Sequence, residues 1–182
     1  MKNHRAVLFM LIALALAAGS CRSRTDRSEG SVLLSVSRFN VLPSSVSLSS
    51  PDPAQFTIGT ITLRNIPKDP TGATSSLQDI ELRSYEVRYR RRDTGSRVPP
   101  PSVQGIFGIV PVGGTTDLIN LGYLFSDQIL SQPLRDLLDF GVDRETGTAV
   151  IVLDVTLRFF GRTLSGDDVV SEPATFTIEV FP

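Results

Sequence analysis

Chemistry in a protein begins with side chains that can exchange a proton, hold a metal or supply an electron pair, and here the choice is narrow. The chain has one histidine, His4, and one cysteine, Cys21. His4 lies within the first 20 residues, which read as a removable signal, and acylation would consume the Cys21 thiol, so Ser-His-Asp and Cys-His catalysis lack the base they need near neutral pH. Zinc and copper sites draw chiefly on the same two residue types and are disfavoured on the same ground.

Carboxylates remain. Asp167 and Asp168 follow Gly166, and Asp139, Asp143 and Glu145 form a second group. Glycoside hydrolysis needs two carboxyls roughly 5 to 9.5 Å apart across a cleft, one with a raised pKa. Adjacent aspartates after a glycine read more simply as turn formers. The second group lacks the alternating Asp/Asn run and distant Glu of a calcium loop. No residue is nominated as catalytic, metal-binding or cofactor-binding, and the chain is expected not to be an enzyme.

The one cationic cluster is "RYRRRD", with Arg88, Arg90, Arg91 and Arg92 around Tyr89. Such a group can hold lipid phosphates, anionic glycans or an acidic partner. Alternate arginines also form the ordinary solvated face of a strand and guard a sheet edge. Overall charge gives no bulk attraction for nucleic acid. Taking Lys2 and Arg5 from the 18 basic residues leaves 16 against 19 acidic ones, a net charge of −3 without the first 20 residues.

The amino terminus has three zones: Lys2 and Arg5, an unbroken apolar run from Ala6 to Ala18, then Gly19 and Ser20. That is the order of a secretory signal peptide over residues 1–20. The apolar run falls short of the about 20 helical residues that cross a hydrocarbon core. Ala18-Gly19-Ser20-Cys21 resembles the box of small residues before the obligatory cysteine of the bacterial lipoproteins. The resemblance implies acylation of Cys21, removal of the signal before it and a membrane anchor. It departs from the pattern at Ala18, where a leucine is usual. Ala18 and Ser20 also suit ordinary signal cleavage, which would leave a free thiol. By the same resemblance, Arg22 after the cysteine, rather than Asp, implies the outer membrane where a cell has two. Acyl chains contribute about 0.8 kcal/mol per buried methylene, and more than one chain gives stable anchoring.

Residues 21–30 carry "RSRTDRSEG", a polar stretch with no hydrophobic period that reads as a tether. Nine such residues span roughly 17 Å on average and reach about 30 Å when stretched.

From residue 31 to 182 the dominant pattern is period-two alternation bounded by Gly, Pro, Ser and Asp, the mark of half-buried strands. Val32, Leu34 and Val36 share a face. Phe56 and Ile58 oppose Ile61 and Leu63, so that strand either bulges near Gly59 or is covered on both faces. Ile80 and Leu82 change phase to Tyr85, Val87 and Tyr89, which predicts a bulge at Arg83 or Ser84. The last two strands alternate through Ile151 to Phe159 and Ala174 to Val180, with a turn at Ser165-Gly166-Asp167 predicting an antiparallel hairpin. "QGIFGIVPVGG" and "TTDLINLGYLF" supply further strands, and "RVPPPSV" reads as a rigid polyproline connector. One segment differs. Leu134, Leu137 and Leu138 follow helical spacing between Pro133 and Gly141, so a short helical insertion is expected near 126–140.

Seven or so strands predict an all-β antiparallel sandwich, immunoglobulin-like by pattern, with a closed barrel as the alternative. The functional expectation is a non-enzymatic, membrane-anchored lipoprotein that binds, scaffolds or assembles. Its partner would be an envelope protein or glycan, not nucleic acid. An apolar-ligand carrier and a carboxylate-dependent glycan hydrolase are the alternatives.

Overall fold

The computed structural model describes residues 30–40, 42–49 and 56–182. The expected signal, Cys21 and the expected tether up to residue 29 lie outside the described residues. In chain order the elements are β1 (Val32–Asn40), β2 (Ser45–Ser47), β3 (Thr57–Pro67), β4 (Ile80–Arg91), β5 (Ser102–Val110) and β6 (Thr115–Gly122). Then come α1 (Ser126–Ile129), α2 (Leu134–Phe140), β7 (Ile151–Thr163), β8 (Asp168–Val170) and β9 (Ala174–Phe181).

Two sheets pack face to face, one ordered β1-β3-β6 and the other β2-β9-β7-β4-β5, with β8 beside β7. The β2–β9 pair is parallel and the other pairs are antiparallel. The expected all-β sandwich is therefore the fold. Its order sets β1-β3-β6 in one layer against β4-β7-β9, extended by β5 and β2, in the other.

Alternation is the physical cause of both layers, because successive strand residues point to opposite faces. Ile151, Leu153, Val155, Leu157 and Phe159 of β7 are all fully buried against Ile61 and Leu63 of the same apolar core. Burial of each such side chain contributes about 1.5–3 kcal/mol.

On β4, Leu82 pairs with Gly161 but Ser84 with Phe160, leaving Arg83 as the extra residue. This is the predicted bulge, and it keeps Tyr85, Val87 and Tyr89 in the core after the change of phase. A Cβ at Gly161 would lie 2.7 Å from the Glu81 carbonyl oxygen, so β7 can approach the bulge only because it has no side chain there.

Of the two expectations for β3, the bulge near Gly59 is not found. β3 stays in register with β6, Ile58 opposite Leu121 and Thr60 opposite Ile119. Asn120, on the facing strand, has a left-handed φ of 55°. There the buried set changes phase from Ile58 to Ile61 and Leu63 without loss of register. The irregularity next door lies on β1, between Val36 and Arg38.

The two sheets are also tied by polar bonds through the core. Tyr85 and Tyr89 of β4 donate their hydroxyls to the carbonyls of Gly122 (2.9 Å) and Tyr123 (2.6 Å) at the end of β6. Tyr85 stacks on Phe159, and Tyr123 meets Phe176 edge-on at 5.4 Å between centroids.

The helical insertion is two short helices. Leu134 and Leu137 turn into the core while Leu138 faces solvent. Gly141 ends α2 in a left-handed conformation and donates its N–H to Leu137.

Candidate functional site

The sandwich has two distinct ends. At one, Gly30 lies against Asp167 and Val169, and Ser31 accepts a hydrogen bond from the Lys68 amide. The β3–β4 and β7–β8 turns share this end, since Val32 pairs with Pro67 and Ile80 with Thr163. At the other, Arg91 closes β4 opposite Leu153, and Gly122 at the end of β6 leads into the helices. With 12 residues in β4, the two ends stand about 40 Å apart.

The far end is organised by Arg91, whose side chain is only 2 % exposed. Strand alternation carries Arg88 and Arg90 outward and Arg91 inward. Its Nε and Nη2 donate to the two carboxylate oxygens of Asp93 at 2.5 and 2.8 Å, and Nη2 also to Asp143 Oδ2 at 2.9 Å. Glu145 Oε2 lies 3.9 Å from Nη1.

Each carboxylate is anchored further. Asp93 accepts the amides of Gly95 and Val152, and Asp143 the Glu145 amide and the Thr146 hydroxyl. Glu145 accepts the amides of Ser96 and Arg97 and the Ser96 hydroxyl. One guanidinium thus joins the β4–β5 connection to the segment between α2 and β7.

These contacts decide the charge states. Burial opposes ionisation of Asp143, yet the Thr146 hydroxyl, the Glu145 amide and Arg91 together hold its pKa below the ordinary value. Asp93 is likewise lowered, burial being outweighed by Arg91 and two amides. Hydrogen bonds from Ser96 and Arg97 lower Glu145. A general acid needs the opposite shift. These contacts favour the ionised forms of Asp143 and Glu145, and Asp139 stands apart from them, paired with Arg135 at 3.2 Å. Asp143 and Glu145 both face the Arg91 guanidinium, and Asp139 does not join them.

Asp167 accepts the Ser165 hydroxyl at the β7–β8 turn, and Asp168 pairs loosely with Arg162 at 3.7 Å, as turn-forming residues would.

Arg91 is thereby withdrawn from the cationic cluster read in the sequence. The other members lie on the outer face of the second sheet. Arg88 pairs with Glu86 at 2.8 Å, while Arg90 and Arg92 flank Asp154 at 2.8 and 3.8 Å. Asp154 also accepts the Thr177 hydroxyl, and its pKa is lowered, most by Arg90. The outer row is a mixed-charge face rather than a concentrated anion trap.

Two further features stand apart from these residues, the second of them on the apolar run "QGIFGIVPVGG" that the sequence reads as a strand. One is the helix-side cavity bounded by Asp136, Gln132 and Arg144, which depends on how the two helices fold back. The other is the outer face of β5, where Val103, Phe107 and Ile109 are exposed on a sheet edge that carries no charge from Ser102 to Val110. The expected polyproline connector lies in irregular backbone between β4 and β5.

Among known proteins, no family model matches the chain and no curated protein shows significant similarity to it.

Proposed function

We propose that this chain is an exported, lipid-anchored binding module whose sandwich holds a recognition end away from a membrane. The observation that carries the reading is the placement of the two ends. Gly30, the first described residue after the cysteine and tether, joins the sandwich at the end opposite Arg91 and the helices.

An acyl group on Cys21 and a tether of about 17 Å average span would leave the Gly30 end facing the membrane. The far end then projects by the length of the strands. There the Arg91 cluster makes a rigid platform of two connections, beside exposed Leu130 and Phe140 and the guanidinium groups of Arg97 and Arg144. Arginine and aromatic side chains on a pre-organised surface are favourable material for recognition. The partner is an envelope protein or glycan, and the membrane is the outer one where a cell has two. Asp93, Asp143 and Glu145 are engaged by Arg91 and by backbone and hydroxyl donors that lower their pKa values, which favours a structural over an acid–base role for them.

Membrane fractionation with protease treatment of intact and lysed cells tests this, comparing the parent with Cys21→Ala. The parent is expected in the membrane fraction and Cys21→Ala in the soluble one. Equal solubility of both would overturn the anchor. Cross-linking in native membranes, followed by purification, is expected to trap a partner through residues of the Arg91 end.

A further inference from the structure

We propose that β5 pairs with the β5 of a second copy of this chain, antiparallel about Ile106, so that the larger sheets of the two copies become one. The pairing goes beyond the anchored-module reading and does not depend on the anchor.

The strands that end the two sheets are not alike. β1 carries Arg38, β6 carries Asp117 and β2 is three residues long, each a device against the addition of a further strand. β5 has nine residues, pairs only with β4, and holds neither charge nor proline from Ser102 to Val110. Its register against β4 shifts at Arg83, yet its own alternation is unbroken, with Val103, Gly105, Phe107 and Ile109 exposed and the residues between them less so.

The strand is its own complement. Pro101 and Pro111 bound it at equal distances from Ile106. A two-fold axis beside Ile106 keeps both outer faces on one side and sets Val103 opposite Ile109 and Phe107 opposite Gly105, each pair formed twice. Phe107 is 79 % exposed, and a Cβ at Gly105 would meet nothing within 4 Å beyond its chain neighbours. The ring of one copy therefore has open room over the glycine of the other, where an aromatic side chain covers bare edge backbone. Centred on Gly105 instead, the pair would set Ile109 against Pro101; centred on Phe107, it would set Val103 against Pro111. Either puts into the seam a residue with no N–H to donate. No like charges face one another along it. At the Ile109 end the Thr116 hydroxyl of β6 already donates to the Ile109 carbonyl at 2.7 Å, so Gly105 and Phe107 form the centre of the seam.

Val110 pairs with Ile80 at the Gly30 end of the sandwich, so antiparallel pairing leaves the two Gly30 ends at opposite ends of the dimer. Anchored copies meet in this way from two facing surfaces. A single pair of strands belongs to the smaller interfaces, below about 1,200 Å² in total, which associate reversibly.

Sedimentation equilibrium of the chain carrying Cys21→Ala, which has neither anchor nor thiol, tests the pairing, and failure of the anchor is read separately by fractionation. A reversible monomer–dimer equilibrium is expected, at least tenfold weaker in Phe107→Lys. Ile119→Lys, which changes a side chain 71 % exposed on the edge strand β6, is expected to dimerise as the parent does. On the same background, chains with Val103→Cys and Ile109→Cys are expected to cross-link under mild oxidation when mixed and not alone, since directly opposed Cα atoms lie about 5.5 Å apart, within disulfide reach. Should Phe107→Lys unfold, the cross-linking decides. A monomer at every concentration overturns the proposal. So do dimers that a folded Phe107→Lys leaves unweakened, dimers that Ile119→Lys weakens equally, or cross-linking of either cysteine chain with itself as readily as in the mixture.

Discussion

Arg91 Nη2 donates to Asp143 Oδ2 across 2.9 Å at a point where neither side chain reaches solvent. The two residues are 52 positions apart in sequence, so the bond fastens the end of one strand to the segment that precedes another. Breaking such a pair leaves a charge buried without its partner, which costs about 3–5 kcal/mol.

Arg91→Met is therefore expected to lower the urea midpoint severely. Arg90→Ala, whose side chain is mostly exposed, should cost under about 1 kcal/mol. Arg91→Met combined with Asp143→Leu is expected to recover part of the loss, because the one fully buried carboxylate opposite the missing guanidinium is removed while the more exposed Asp93 and Glu145 remain. A double mutant no more stable than the sum of its parts would contradict this account.

Acid should unfold the protein through the same cluster together with Asp154, which Arg90 and Arg92 flank on the outer face. Asp93, Asp143, Asp154 and Glu145 all have folded pKa values below the ordinary 3.8 for Asp and 4.5 for Glu. The native state thus binds fewer protons than the unfolded chain in this range, and stability falls as protons are added. The contribution is fully present above the unfolded values and is lost as pH drops through the folded ones. Denaturant unfolding should be nearly flat in this respect above pH 5 and should weaken below about pH 4. Asp143→Asn, which cannot ionise, should show a shallower slope.

The three tyrosines, Tyr85, Tyr89 and Tyr123, are all buried. Burial pushes Tyr85 up to about 12 and raises Tyr89 and Tyr123 further. Absorbance at the tyrosinate band is expected to stay flat through pH 10, where an exposed phenol is half ionised, and to rise only with alkaline unfolding. A tyrosine that titrates near 10 in the folded protein would show that the core is looser than described. Tyr89→Phe, which strips the Tyr123 carbonyl of its donor, should cost about 1–3 kcal/mol.

Phe107 is 79 % exposed on the uncharged edge strand β5. Natural edges of this length normally carry charges or proline against strand-to-strand association. Phe107→Lys is expected to leave the urea midpoint unchanged and to reduce concentration-dependent association measured by sedimentation. Unchanged association would show that the edge is not where copies meet.

Much of the fold was legible in the sequence because strand periodicity is local. The core faces of β7 and β9, the Arg83 bulge and the helix stop at Gly141 follow from side-chain order and chain geometry alone. Gly59 shows the limit. A change of phase in one strand can be absorbed by a bulge or by a matching change in its neighbour, and Asn120 on β6, far along the chain, made the second possible.

What the sequence determined by itself is the all-β sandwich, the absence of histidine and thiol chemistry past Cys21, and four arginines near the end of one strand. Only the tertiary structure separated those arginines, because burial depends on what lies opposite. Arg91 meets Asp143 and Glu145 from a distant segment and becomes structural, while Arg88, Arg90 and Arg92 stay on the outer face. The unpartnered Asp136 is likewise a product of the way two short helices fold against the β4–β5 connection. Long-range juxtaposition of charge has no period in a sequence, and so it was decided in space.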